Sequence, residues 1–176
     1  DNNIASILVI QGDTDAALAT YADLVDTLRR RGSLRSLAFA QTNRGILFNR
    51  LGDVTRGEAC LRQALSCFER LALSRGIGAC HCQIARMRLA SGDPADAARH
   101  CEAALAVAGQ EGSLRSQARI MRFMARAAEP DLGDADPAVL DEAVPPEVQG
   151  LVGLARRWLE EPGARQEVRR VLLAGE

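Results

Sequence analysis

The chain has 176 residues, 47% of them hydrophobic and only 3% aromatic, with a formal net charge of −1. Such a length holds one ordinary domain with a core, and few aromatics beside abundant Ala and Leu favour helices packed through small side chains over a β-sandwich. Near-neutral charge removes any bulk attraction to nucleic acid or to an acidic membrane, and no stretch approaches the about 20 apolar residues that span a bilayer.

Taken in chain order, the pattern predicts helices at about 2–11, 14–31, 34–51, 54–72, 75–91, 94–109 and 113–128. The boundaries repeat. Gly12-Asp13, Gly52-Asp53 and Gly92-Asp93 recur every 40 residues, and Gly32-Ser33-Leu34-Arg35-Ser36 returns as Gly112-Ser113-Leu114-Arg115-Ser116. The middle copy of the second marker, Ala72-Leu73-Ser74-Arg75-Gly76, is degenerate. Each Gly-Asp pair is expected to end one helix in a left-handed turn and to cap the next with the Asp carboxylate. Ser33, Ser74 and Ser113 are the cap candidates at the other junction, and Pro94 suits a first helical turn. Between the markers, apolar residues fall three and four apart, as in Leu61, Ala64, Leu65 and Phe68, and again in Ala97, Ala98, Cys101, Ala104, Leu105 and Ala108.

This register resembles the tetratricopeptide repeat. Gly45, Ala85 and Ala125, with Ala5 in a shortened first copy, occupy the small-residue place of the first helix, and Ala17, Gly57 and Ala97 that of the second. Tyr21, Leu61 and Cys101 stand where the family has an aromatic, and Ala64-Leu65 and Ala104-Leu105 match its later small-Leu pair, with Leu24-Val25 a poorer match. The resemblance covers residues 1–128. Its period exceeds the family's usual length of about 34 and is similar to longer repeats in bacterial regulators and eukaryotic adaptors. The resemblance implies an all-α, α-α superhelix (a solenoid) of about three and a half repeats. Residue 1 falls inside a repeat's first helix, so the expectation is a piece of a longer protein or a stack lacking upstream repeats.

Beyond the repeats, residues 129–149 carry seven acids and no base, with Pro130, Pro137, Pro145 and Pro146 leaving room only for a short helix near 137–143. Residues 150–176 hold two amphipathic segments, one bearing Trp158, expected to cap the open end of the repeats. All 22 basic residues are Arg, which reads first as a GC-rich, bacterial genome. No secretion leader opens the chain, and five scattered cysteines fit a cytoplasmic protein with free, buried thiols.

The resemblance also implies that first helices line a concave partner groove. On that register the inward candidates are Phe39, Thr42, Ile46, Asn49 and Arg50, then Cys82, Arg86 and Leu89, then Arg119, Arg122 and Arg126. The last three share one helix face. Residues 1–128 hold 17 Arg against 12 acids, and guanidinium forks pair with carboxylates or phosphates. A solvated face, an acidic peptide of another protein, and the chain's own 129–149 segment remain alternatives for that row.

Catalytic and metal chemistry find no support. Cys80-His81-Cys82 would point about 100° apart on a helix, His81 and His100 lack a triad spacing, and His100 is expected at the surface. No phosphate loop or nucleic-acid motif is present. The expectation is a non-enzymatic protein-binding module without cofactor, metal, membrane or nucleic-acid partner. The alternative is an effector-sensing or oligomerisation domain of a larger bacterial transcription regulator or signalling ATPase.

Overall fold

A computed structural model describes residues 2–109 and 112–174. It shows the expected all-α class, with helices that pack on their sequence neighbours and no strand among the described residues. The chain divides into two compact units, residues 1–73 and 74–176. The first holds α1 (Asn2–Gln11), α2 (Thr14–Arg30), α3 (Leu34–Arg50) and α4 (Val54–Arg70). The second holds α5 (Ser74–Ser91), α6 (Pro94–Val107), α7 (Ser113–Ala128), α8 (Gln149–Glu160) and α9 (Arg165–Ala174).

The Gly-Asp junctions behave as their chemistry dictates. Gly12, Gly52 and Gly92 take φ of +81°, +80° and +82°, and their amides and those of the following Asp bond back onto the preceding helix, closing its last carbonyls. Asp13, Asp53 and Asp93 then accept from the amides of Ala16, Arg56 and Asp96 at 3.0–3.2 Å. The Arg56 amide, and then the Arg56 side chain, hold the Asp53 carboxyl below its ordinary value.

The serine caps expected at the other junction do not form. Ser33 stands at the cap position without a side-chain bond, Ser74 is already the first residue of α5, and Ser113 opens α7 behind Gly112. At the first of these junctions Gly32 closes α2 in the left-handed conformation, φ +67°. Its degenerate counterpart Ala72 is held at φ +50° by the same pair of back-bonds, Ala72 N to Glu69 O and Leu73 N to Phe68 O.

Small residues set the helix crossings. A Cβ added to Gly45 would lie 2.9 Å from the Gly57 carbonyl, and one added to Gly57 would lie 3.0 Å from the Gly45 carbonyl and 1.8 Å from Asn49 Oδ1. The α3 and α4 backbones therefore touch. Ala5 and Ala17 hold the same places one period earlier, fully buried in one cluster with Tyr21 and Leu47. Ala85 and Ala97 do so one period later. In the first unit Phe39 also packs edge-on against Phe68, with centroids 5.2 Å apart, while Ile4, Ile7 and Ile10 leave one face of α1 exposed.

In the second unit one core joins α5, α6 and α7 to the C-terminal segment through Ile120, Met124, Leu140, Val148, Trp158 and Leu172. Helix α8 packs on α7, and α9 on α5. Trp158, 1% exposed, lies in this core, with the Arg165 and Arg169 guanidiniums 5.4 and 5.7 Å from its ring centroid. The helix expected near 137–143 is instead a single 3-10 turn, Pro137–Leu140, one of three proline-started turns between α7 and α8. The other two are Pro130–Leu132 and Pro146–Val148. Proline starts such turns readily but cannot continue a helix.

Two substitutions test these constraints. Holding alanine left-handed costs about 1–2 kcal/mol, more than the roughly 0.5–1 kcal/mol of chain entropy that glycine adds, so Ala72→Gly is expected to raise stability by about 0.5–1 kcal/mol in urea unfolding. Gly57→Ala gains helix propensity of about 1 kcal/mol but meets Asn49 and the Gly45 carbonyl. It is expected to lower stability by about 1–3 kcal/mol, with partial recovery in Asn49→Ala/Gly57→Ala.

Candidate functional site

In the first unit, the first-helix residues open onto a cleft of about 300 Å³ between α1, α2 and α3. Val9, Ile10, Tyr21 and Ile46 give it apolar walls, with Asn43 and Arg50 as polar groups. Two of the expected residues, Ile46 and Arg50, thus line an open surface. Thr42 returns its hydroxyl to the Ala38 carbonyl at 2.9 Å on its own helix. Asn49, expected in the groove, is 5% exposed and lies against Gly57 between α3 and α4. Asn43 was missed. It shares a face with Ile46 and Arg50 at intervals of three and four, and a register shifted by one residue selects it.

The second unit sorts its candidates more sharply. Cys82 and Leu89 are core residues, 2% and 1% exposed. Arg86 is half-buried beside a cleft of about 120 Å³, together with Gln117 of α7, Leu151 and Leu154 of α8, and Leu172 of α9. Helices α8 and α9 therefore reach the place where the groove was expected to be open.

Arg119, Arg122 and Arg126 of α7 do form a row, and the acidic segment lies along it. The Arg119 guanidinium donates through both Nη atoms to the two carboxylate oxygens of Glu142. Arg126 Nη1 donates to the Asp134 carbonyl at 3.3 Å. Glu102 of α6 takes Arg122 at 2.9 Å and lies 3.6 Å from Arg126. From the other side, Arg156 of α8 holds the Leu140 carbonyl at 3.1 Å and the Asp141 carboxylate at 2.7 Å. A cleft of about 100 Å³ remains between the row and Asp134, Asp136 and Val139. The row side chains keep 34%, 29% and 30% of their surface, so these pairs are partly solvated and individually weak, about 0–1 kcal/mol each.

His100 is not at the surface. Its side chain is 13% exposed, with Nε2 3.8 Å from Asp96 Oδ1, and its Nδ1 lies 2.8 Å from that of His81. The cause is the α5–α6 packing, which faces two histidines 19 residues apart. Among the described residues, no group of three or more His, Cys, Asp or Glu could hold a metal ion, and no helix is long and apolar enough to cross a membrane. All five cysteines are free and buried. Burial pushes the Cys82 thiol up to about 12 against the opposing pull of Arg86. Burial, followed by the neighbouring Cys82, raises Cys101 as well.

Comparisons with protein-family models, with curated proteins and with solved structures return no match.

The raised thiols have a direct consequence, because the thiolate is the reactive species. At pH 8, Cys82 and Cys101 are expected to resist a thiol-specific reagent in the native chain and to react only on unfolding, as read by mass spectrometry. Native-state labelling at either position would contradict their burial.

Proposed function

We propose that the chain is a protein-interaction module of the tetratricopeptide-like kind, taking an acidic segment of a partner protein against its first-helix residues. The observation that carries this reading is the α7 row. Arg119, Arg122 and Arg126 share one face, and Arg119 and Arg122 engage carboxylates directly. The bidentate fork on Glu142 displays the chemistry the row accepts, since a planar guanidinium matches a carboxylate in geometry as well as charge. Within the first unit, the open cleft of α1–α3 separately offers apolar walls with an amide and a guanidinium, a mixture suited to a peptide. Paired helices of this kind suit such a role because each pair adds a further binding face to a rigid frame.

The reading is tested with a short labelled Asp/Glu-rich peptide and fluorescence anisotropy. Arg122→Glu/Arg126→Glu is expected to weaken binding about tenfold, since each reversal removes a contact worth up to about 1 kcal/mol and sets a like charge against the peptide. Helicity should be retained. Unchanged affinity in a folded double variant would remove the row from the binding surface.

A further inference from the structure

Resting on that reading, we infer that residues 133–139, together with Glu142, form a displaceable acidic flap, a built-in occupant of the α7 arginine row that an acidic partner segment must replace. The row already has carboxylates supplied from within the chain. Glu142 fills the Arg119 fork, and the Asp134 carbonyl takes Arg126.

The flap's anchoring is uneven, and that unevenness separates it from a fixed wall. Leu140 is 5% exposed within the core, and Leu132 packs against the same cluster. Between these two points Gly133, Asp134, Asp136, Pro137 and Ala138 are all exposed, with only Ala135 and Val139 half-buried. Gly133 turns the chain at φ +103° directly after the Pro130–Leu132 turn, a conformation that side-chain-bearing residues rarely take. The intervening chain has no α-helix to hold it straight. Glu142 on Arg119 and the Asp134 carbonyl on Arg126 hold it over the row at partly solvated sites, where water and salt weaken polar pairing, and Ala135 and Val139 add contacts to the core cluster. The cleft of about 100 Å³ beneath it, lined by the three arginines, Phe123, Asp134 and Val139, shows that the flap leaves space over the row. A neighbouring clasp, Arg156 on the Leu140 carbonyl and Asp141, ties down the anchor rather than the flap. Displacement can therefore lift 133–139 and release Glu142 while Leu140 stays seated.

Tethering explains why such an occupant matters. A short linked segment competes at an effective concentration in the millimolar range, so a free acidic peptide meets a row that is already engaged. The partner that fits is an acidic segment with several carboxylates, able to engage Arg119, Arg122 and Arg126 together.

The experiment uses the full chain and the same labelled Asp/Glu-rich peptide. Asp134→Asn/Asp136→Asn/Glu142→Gln removes the flap's charge but keeps its apolar anchors and the cap that Asp136 makes to Ala138. It is expected to bind the peptide about threefold to tenfold more tightly than the unchanged chain. A control with the same change in net charge, Asp15→Asn/Asp23→Asn/Asp26→Asn on α2, is expected to stay within about twofold. In the unchanged chain, peptide addition is expected to speed amide hydrogen exchange in residues 133–139. Binding that depends on Arg122 and Arg126, with neither tightening in the flap variant nor faster exchange in the flap, would overturn the flap and leave the interaction module standing. Equal tightening in the α2 control would reduce the effect to net charge and overturn the flap as well. Absence of binding in both the unchanged chain and the flap variant would overturn the module together with its flap.

Discussion

Where α3 and α4 cross, Gly45 and Gly57 bring two backbones into contact, and a methyl group on either would run into the other's carbonyl. The buried alanine pairs one period before and after, Ala5 with Ala17 and Ala85 with Ala97, hold the same places. Low aromatic content follows from this constraint. Pairs that meet through Gly and Ala have little room for large rings, and most of the few that exist lie buried, as Tyr21, Phe48, Phe68 and Phe123 do. Because interiors are packed nearly as densely as organic crystals, the separation set at each crossing also sets which residues one turn away can reach the surface.

The turns do complementary work. A left-handed glycine and an aspartate supply, in two residues, the closing bonds of one helix and the cap of the next. That economy lets α3 run into α4, and α5 into α6, with almost no loop. Ala72 shows the bond pattern outlasting the residue best suited to it, since the back-bonds from Ala72 and Leu73 hold the left-handed turn without glycine.

The chemistry of the second unit centres on charge brought together from separated places in the chain. The α7 arginines, Glu102 on α6 and the acids after α7 compensate one another locally, in a chain whose formal charge is only −1. A row compensated by partly solvated partners differs from a buried ion pair, because removing one partner leaves its arginine in reach of water rather than stranded. Such a surface can exchange one carboxylate for another at modest cost, and this property ties the proposed binding role to the flap.

The helices, their period and the Gly-Asp turns can be read from residue order alone, because each depends on contacts within a few residues along the chain, and the small residues stand out at the same 40-residue period. Helical periodicity and cap chemistry are local, so they are readable without knowing the fold. The arginine row was legible for the same reason: Arg119, Arg122 and Arg126 lie three and four apart on one helix. Only the tertiary structure decided what faces that row, since Arg119 and Glu142 are 23 residues apart and complementary charge sets the sign of a contact without choosing its partner. It also moved Asn49 from the groove to a helix crossing, brought Asn43 to the cleft, and paired His81 with His100. In each case a rotation of about 100° per residue separates a surface position from a buried one, and only the neighbouring helix selects between them.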